Sequence, residues 1–237
     1  MSGKRPIGVL TGLASEARLA ATLSHQHDGK PPPPRIVCAA ASSARAAASA
    51  QQLVDQGVAA LLSFGIAGGL DPALPAGTVI LGEAVLTAPG ARLDCHAAWR
   101  EAVAEAATGA GLALQSAALA GVAEVISSPV EKAHLFAVSG AAAVDMESHA
   151  VAEVAAAAGL PFLALRAIAD PANRSLPAAA LAPLTREGKP QPLLVAARLA
   201  LRPWDLPEVL RLGLDARKAE RALAGLRPLA PALFGGF

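Results

Sequence analysis

Ala59-Ala60-Leu61-Leu62-Ser63-Phe64-Gly65-Ile66-Ala67-Gly68-Gly69-Leu70 is the stretch that decides the fold. Ala59–Phe64 is a short, nearly continuous apolar run, too short for an ordinary helix and bounded by glycine, as expected of a strand buried on both faces. Four further runs have the same character: Pro6–Leu10, Arg35–Ala39, Thr78–Val85 and Pro161–Ile168. Between them lie alanine-rich segments with helical spacing, at Ser15–Leu23, Ser43–Gln56, Ala97–Ala107, Val130–Ser139 and Glu147–Ala158. Alternation of this kind predicts an α/β protein, a three-layer α/β/α sandwich around a mixed, largely parallel central sheet.

The 237 residues predict a single domain over 1–237, with a helical C-terminal extension at about 190–237. That extension reads as Pro192–Leu201, Leu206–Leu212 and Ala216–Leu226, followed by an apolar tail. Lys30–Arg35 is a stiff proline connector too short to separate domains, and the Pro- and Ala-rich loop 171–190 is long enough to suggest a functional role. A hydrophobic content of 54% against 16% charged residues excludes global disorder. A net charge of +1 excludes nucleic-acid binding driven by bulk charge, and the absence of tyrosine argues against base stacking. Two cysteines, Cys38 and Cys95, cannot form a disulfide framework, so a cytoplasmic setting is expected. Met1–Pro6 does not read as a secretory signal, and the uncharged stretch Ala106–Ala123 is too rich in small and polar residues for a membrane span.

In an open α/β sheet ligands bind at the carboxyl ends of the strands. Three such ends carry unusual residues. Ile7–Leu10 runs through Thr11-Gly12-Leu13-Ala14-Ser15 to Glu16, either a functional acid or a helix-start acid favoured by the macrodipole. Gly65, Gly68 and Gly69 open the backbone to a ligand or make a tight turn; their spacing is not a dinucleotide fingerprint. Val144-Asp145-Met146-Glu147-Ser148 puts acids at the mouth of a helix, and Arg166-Ala167-Ile168-Ala169-Asp170 puts one after an apolar strand. Desolvation there raises a carboxyl pKa and suits Asp170 to general-acid work; the alternative is a turn cap before Pro171.

Taken in order, these four motifs resemble the nucleoside phosphorylase and nucleosidase superfamily, over roughly residues 6 to 175. Thr11–Arg18, Val144–Ser148, Asp170–Pro177 and Arg202–Pro207 are similar to the hopanoid-associated phosphorylases. The resemblance implies cleavage of a purine N-glycosidic bond, with release of adenine from a 5′-modified adenosine such as adenosylhopane. Asp170 would protonate the leaving base at N7, Glu147 would bind the ribose hydroxyls, and Met146 would pack on the sugar. A glutamate at the position of Glu16 implies activation of water. Phosphorolysis would instead need a phosphate cradle, and inorganic phosphate is a possible co-substrate; no metal or redox cofactor is expected. The nucleophile region comprises Gly65, Ile66, Gly68, Ser42, Ser43 and Arg45. The family's Ser-Gly-x-Gly loop reads Ala39-Ala40-Ala41-Ser42 here, with Ser42, Ser43 and Arg45 as candidate phosphate donors or as a helix cap and solvated face. Ile66 and Ala169 stand where many relatives have hydroxyl residues.

A rigid hydrocarbon on the 5′ side would need an apolar channel or lip, for which Trp204, Leu206, Leu210, Leu229, Leu233 and Phe234 are candidates. Arg202, Arg211, Arg217, Lys218 and Arg221 could meet anionic headgroups at the inner face of a membrane, or simply be solvated. Relatives assemble as dimers or larger, so a homo-oligomer is expected. His25, His27, Cys95 and His96 do not complete a tetrahedral metal site. The rival readings are a methylthioadenosine-type nucleosidase and a non-catalytic nucleoside-binding protein.

Overall fold

A computed structural model describes residues 5–24, 32–87, 90–181 and 184–235. In chain order its elements are β1 Gly8–Thr11, α1 Ala14–Ser24, β2 Arg35–Cys38, α2 Ser43–Asp55, β3 Leu61–Gly69, β4 Val79–Thr87, β5 Arg92–Asp94, α3 Ala97–Gly109, β6 Gln115–Gly121, α4 Pro129–Ser139, β7 Ala143–Asp145, α5 Ser148–Ala157, β8 Phe162–Asp170, α6 Pro192–Leu201, α7 Leu206–Ala224 and α8 Ala230–Phe234. The eight strands form one mixed sheet. β1 pairs in parallel with β2 on one side and β3 on the other, so the right-handed crossovers through α1 and α2 place these helices on opposite faces.

The expected α/β sandwich is present, and its sheet curls at one end. β3 pairs with both β8 and β7, β8 pairs with β4, β4 with β6, and β6 with β7, so these five strands close on themselves. The glycine stretch is responsible. Gly65–Gly69 is not a turn between strands, one of the two readings left open, but the outer half of β3, with a bulge between Ala67 and Gly68. Gly68 lies between Val144 of β7 and Asp170 of β8. The ends of three strands therefore meet at one rim, where the bulge lets β3 bend from one partner to the other.

Local chemistry sets the helix boundaries. Ser128 and Glu131 form a reciprocal capping box at the start of α4, Pro129 occupies its first turn, and Gly140 ends it in the left-handed region. Ser42 caps α2. Strands β5, β6 and β7 are the elements that hydrophobic patterning did not predict. β5 and β7 have only three residues each, and Gln115–Gly121 is dominated by alanine and glycine, which carry little strand signal. The two helices expected at Leu206–Leu212 and Ala216–Leu226 are one, α7, because the exposed Gly213 weakens a helix by only about 1 kcal/mol.

The apolar tail belongs to the core. Leu229, Leu233 and Phe234 are buried in the same cluster as Trp99, Phe162 and Leu223, and Trp99 Nε1 donates to the Ala232 carbonyl at 2.9 Å. These three residues consequently do not form an apolar channel or lip, as the sequence reading had allowed. Met1–Lys4, His25, His27 and Phe237 lie outside the described residues. We predict that Phe234→Ala lowers unfolding stability in urea by about 3–5 kcal/mol, the range for emptying a buried aromatic site; a loss under 1 kcal/mol would show that the tail is not part of the core.

Candidate active site

A cavity of about 230 Å³ opens at the rim where β3, β7 and β8 end. Its wall includes Gly12, Leu13 and Glu16 from the β1–α1 turn, Ile66 and Gly68 from β3, Asp145, Met146 and Glu147 from the β7–α5 turn, and Asp170 from β8. Val122, Val125, Ile126 and Leu176 give it an apolar side. Residues from four distant parts of the sequence, each at a strand end, thus face one space.

Glu16 is held by the backbone. Its Oε2 accepts from the Gly12 and Leu13 amides, both at 2.8 Å, and its Oε1 from the Ile66 amide at 2.8 Å. The carboxyl is buried, and burial raises its pKa, while Arg166 and the three amides pull it down. Gly65 is required by space: a Cβ there would lie 2.6 Å from the Glu16 carboxyl. Gly12 is required in the same way by Glu147, whose Oε1 would be 2.7 Å away from such a Cβ.

Behind the cavity, Arg166 is fully buried in the middle of β8. Its Nε lies 3.0 Å from Asp145 Oδ2, and its Nη2 lies 3.3 Å from Glu147 Oε2 and 2.6 Å from Ser63 Oγ. Burial would lower the guanidinium pKa, but Asp145, Glu147 and Glu16 outweigh it and keep the charge in place. Asp145 also accepts from the Glu147 and Ser148 amides, at 2.9 and 2.6 Å, at the N-terminus of α5. Glu147 is the strained member of this group. Burial pushes its carboxyl up to about 8; Arg166 opposes this, and Asp145 and Glu16 add to it.

Asp170 ends β8, and its carboxyl lies 2.6 Å from the ammonium of Lys132, a side chain with no exposure at all. Burial raises the Asp170 pKa and Lys132 pulls it back, with a net rise. The desolvation expected of a carboxyl after an apolar strand is therefore present. A Cβ at Gly68 would sit 3.2 Å from Asp170 Oδ2.

The loop after β2 is built differently from a glycine cradle. Ala40 and Ala41 adopt φ of 52° and 51°, a left-handed conformation that costs an L-residue about 1–2 kcal/mol. Ala41 reaches the cavity wall, its amide donating to the Gly12 carbonyl at 3.1 Å. Ser42, Ser43 and Arg45 lie off that wall and have other partners: Ser42 Oγ accepts from the Arg45 amide, Ser43 donates to the Met146 carbonyl at 2.8 Å, and Arg45 donates to the Arg186 carbonyl. Ala169 is buried and also lies off the wall. Leu176 brings the long loop to the cavity, and the Gly188 carbonyl accepts from the Ala14 amide at 3.1 Å. Among the described residues no cluster of His, Cys, Asp and Glu fits a metal ion. Cys95 is buried, which pushes its thiol up to about 12, and His96 caps α3.

In the sequence Arg166 stands only within the Arg166–Asp170 motif, and Lys132 belongs to no motif. A lone arginine in an otherwise apolar strand was a usable signal, because such a charge must find acids. Lys132 carried no signal, since its partner is 38 residues away.

The profile of the phosphorylase superfamily matches residues 29–187, so the chain belongs to that superfamily. It is thereby an enzyme of the nucleoside phosphorylase and nucleosidase class that the motifs resemble. The fold is similar to that of the 5′-methylthioadenosine/S-adenosylhomocysteine nucleosidase of Helicobacter pylori (TM-score 0.68, 16% identity, 95% of this chain and 98% of that one). It is similar also to futalosine hydrolase of the same organism (0.66, 17%, 93% and 96%) and to S-adenosylhomocysteine nucleosidase of Streptococcus pyogenes (0.65, 19%, 73% and 86%). No curated protein matches the chain in sequence.

The raised pKa of Glu147 has a consequence for stability. A carboxyl whose folded pKa lies above its unfolded value binds its proton more tightly in the folded state, so its contribution is complete below the unfolded pKa and is lost as pH rises through the folded one. Thermal unfolding should therefore show wild type losing stability between about pH 4.5 and about pH 8 more steeply than Glu147→Gln. Parallel curves would mean that Glu147 titrates normally.

Proposed function

We propose that the protein hydrolyses the N-glycosidic bond of a purine nucleoside. The observation that carries this reading is one cavity with Glu16 and Asp170 on its wall and Glu147 and Met146 beside them. In the proposed reaction Asp170, whose carboxyl burial pushes above the usual carboxylate range against the pull of Lys132, donates a proton to N7 and makes the base a better leaving group. Glu147 hydrogen-bonds the ribose hydroxyls and orients the sugar as positive charge develops on it. Glu16 takes a proton from water as its oxygen bonds to C1′. No metal or redox cofactor enters this chemistry.

Water is favoured over phosphate by the lining of the cavity. Among the described residues no arginine or lysine lies on its wall, so a phosphate dianion would find no cationic clamp there. Ser42, Ser43 and Arg45 are otherwise engaged.

The proposed substrate is a 5′-modified adenosine. A cavity of about 230 Å³ is below the roughly 300–1,000 Å³ of sites for drug-sized ligands, so it suits a nucleoside while a large 5′ group would project through the mouth. Adenosylhopane, implied by the motif resemblance, has such a group. The loop carrying Leu176 leads to the C-terminal helices: Arg198 of α6 donates to the Ala178 carbonyl at 3.2 Å, and Arg174 pairs with Asp215 of α7. On these helices Leu193, Leu201, Leu210 and Leu214 are exposed, as are Trp204 and Leu206 at their junction. Arg202, Arg211, Arg217 and Lys218 are exposed among them. Among the described residues no helix is long and apolar enough to cross a membrane. The exposed apolar and basic residues of these helices support a cytoplasmic enzyme held peripherally at the inner face of the membrane, with a lipid-linked substrate. Assembly as a homo-oligomer belongs to it too and rests on the family resemblance.

Adenine release from 5′-substituted adenosines, with and without phosphate, tests the chemistry. Release should be independent of phosphate and should fall by about 10²–10⁴ in Asp170→Asn. Release that requires phosphate would establish a phosphorylase, turnover of methylthioadenosine alone would point to the smaller substrate, and binding without release would leave a nucleoside-binding protein. Flotation with anionic liposomes should carry the protein upward at low salt, and absence of binding there would remove the membrane from the account.

A further inference from the structure

The strongest unassigned feature near the cavity is Lys132. Its side chain is completely buried, and its three N–H donors are shared among four oxygens: Asp170 Oδ2 at 2.6 Å, and the carbonyls of Asp170, Pro171 and Arg174, each at 3.1 Å. Burying an ammonium is expensive unless it is fully paired, and here every partner lies on the exit of β8 that carries the proposed acid. The capping box at Ser128 and Glu131 fixes the first turn of α4 and with it the point from which Lys132 reaches across.

We propose that Lys132 is a positioning residue for glycosidic cleavage, holding the Asp170 carboxyl and residues 170–174 in the geometry and charge balance from which the base is protonated. The proposal rests on the reading of Asp170 as the general acid. With Oδ2 engaged by Lys132, Oδ1 carries the proton that passes to N7, and the carboxylate left behind is neutralised by the ammonium beside it. Lys132 itself does not touch the nucleoside. The ion pair also limits how far burial raises the Asp170 pKa.

The charged surroundings are defined. Lys132 faces Asp170 from α4. Asp215 faces it from α7 and raises its pKa, but Lys218 and Arg174, at 2.8 and 3.1 Å, hold Asp215 low and ionised. Glu16, Asp145 and Glu147 share the cavity with Asp170.

The test compares wild type, Lys132→Met and Lys132→Arg by adenine release against pH and by the affinity for free adenine against pH. Both should fall on the alkaline side as Asp170 loses its proton. Removing the cation raises the carboxyl pKa, so in Lys132→Met the fall should move to higher pH by about 1–3 units; in Lys132→Arg it should stay near the wild-type position. A uniform loss in Lys132→Met with an unmoved midpoint would reduce Lys132 to a structural strut and overturn the proposal, as would equal shifts in both variants. Should Lys132→Met fail to fold, Asp170→Asn and the double variant Asp170→Asn/Lys132→Met decide the matter. In Asp170→Asn the ammonium is buried without its counter-charge, so this variant should be less stable in urea than the double variant, from which that charge is gone. A double variant no more stable than Asp170→Asn would contradict the pairing. If wild type releases no adenine at any pH, the reading of the function fails, while adenine affinity and the stability comparison still report on Lys132.

Discussion

A guanidinium with no exposure sits in the middle of an apolar strand, and much of the site answers to it. Arg166 cannot remain charged in that position without acids, and Asp145 and Glu147 supply them from β7 and the start of α5. Ser63 of β3 and Ser148 of α5 accept further hydrogen bonds from its Nε and Nη2. One side chain therefore ties together three strands and a helix, and breaking such a buried pair by removing one partner typically costs about 3–5 kcal/mol. The acids that satisfy Arg166 are also two of those lining the cavity, so the acidity of the site and the integrity of the sheet have a common origin. Glu147 shows the tension, since even with the arginine beside it burial holds its pKa at about 8.

The second constraint is steric. The carboxyl of Glu16 occupies the space that a Cβ at position 65 would take, and that of Glu147 the space beside Gly12. The glycines of β3 and of the β1–α1 turn are empty volume into which acids fit. Their absence of side chains also lets β3 bulge and reach β7 and β8 together, which brings Gly68 and Asp170 side by side. The two alanines at positions 40 and 41 take the opposite course: they keep a left-handed backbone without glycine, a strain found most often around functional sites.

Much of this was legible in the sequence because it is local. Continuous apolar runs marked the five strands with strong β signal, alanine-rich spacing marked the helices between them, and Glu16, Glu147 and Asp170 were conspicuous as acids at element boundaries. What escaped was non-local or weakly patterned. β6 is dominated by alanine and glycine, β7 has three residues, and the closure of the sheet depends on pairings between strands far apart in the chain. Lys132 looks like a surface residue of an amphipathic helix until its partner is known, and Leu229, Leu233 and Phe234 look equally fit for a channel or a core. Ser42 and Arg45 show the same limit, being readable as phosphate donors until the structure gives their bonds to a helix cap and to a loop carbonyl.

Hydrolysis requires a water molecule to reach C1′ beside Glu16. Mass spectrometry of the sugar formed from a 5′-substituted adenosine in ¹⁸O-labelled water reads that step directly. Hydrolysis predicts one ¹⁸O atom at the anomeric carbon, with and without phosphate present and in the earliest product collected, before exchange at that carbon. A sugar 1-phosphate without the label would contradict it and return the nucleophile to phosphate.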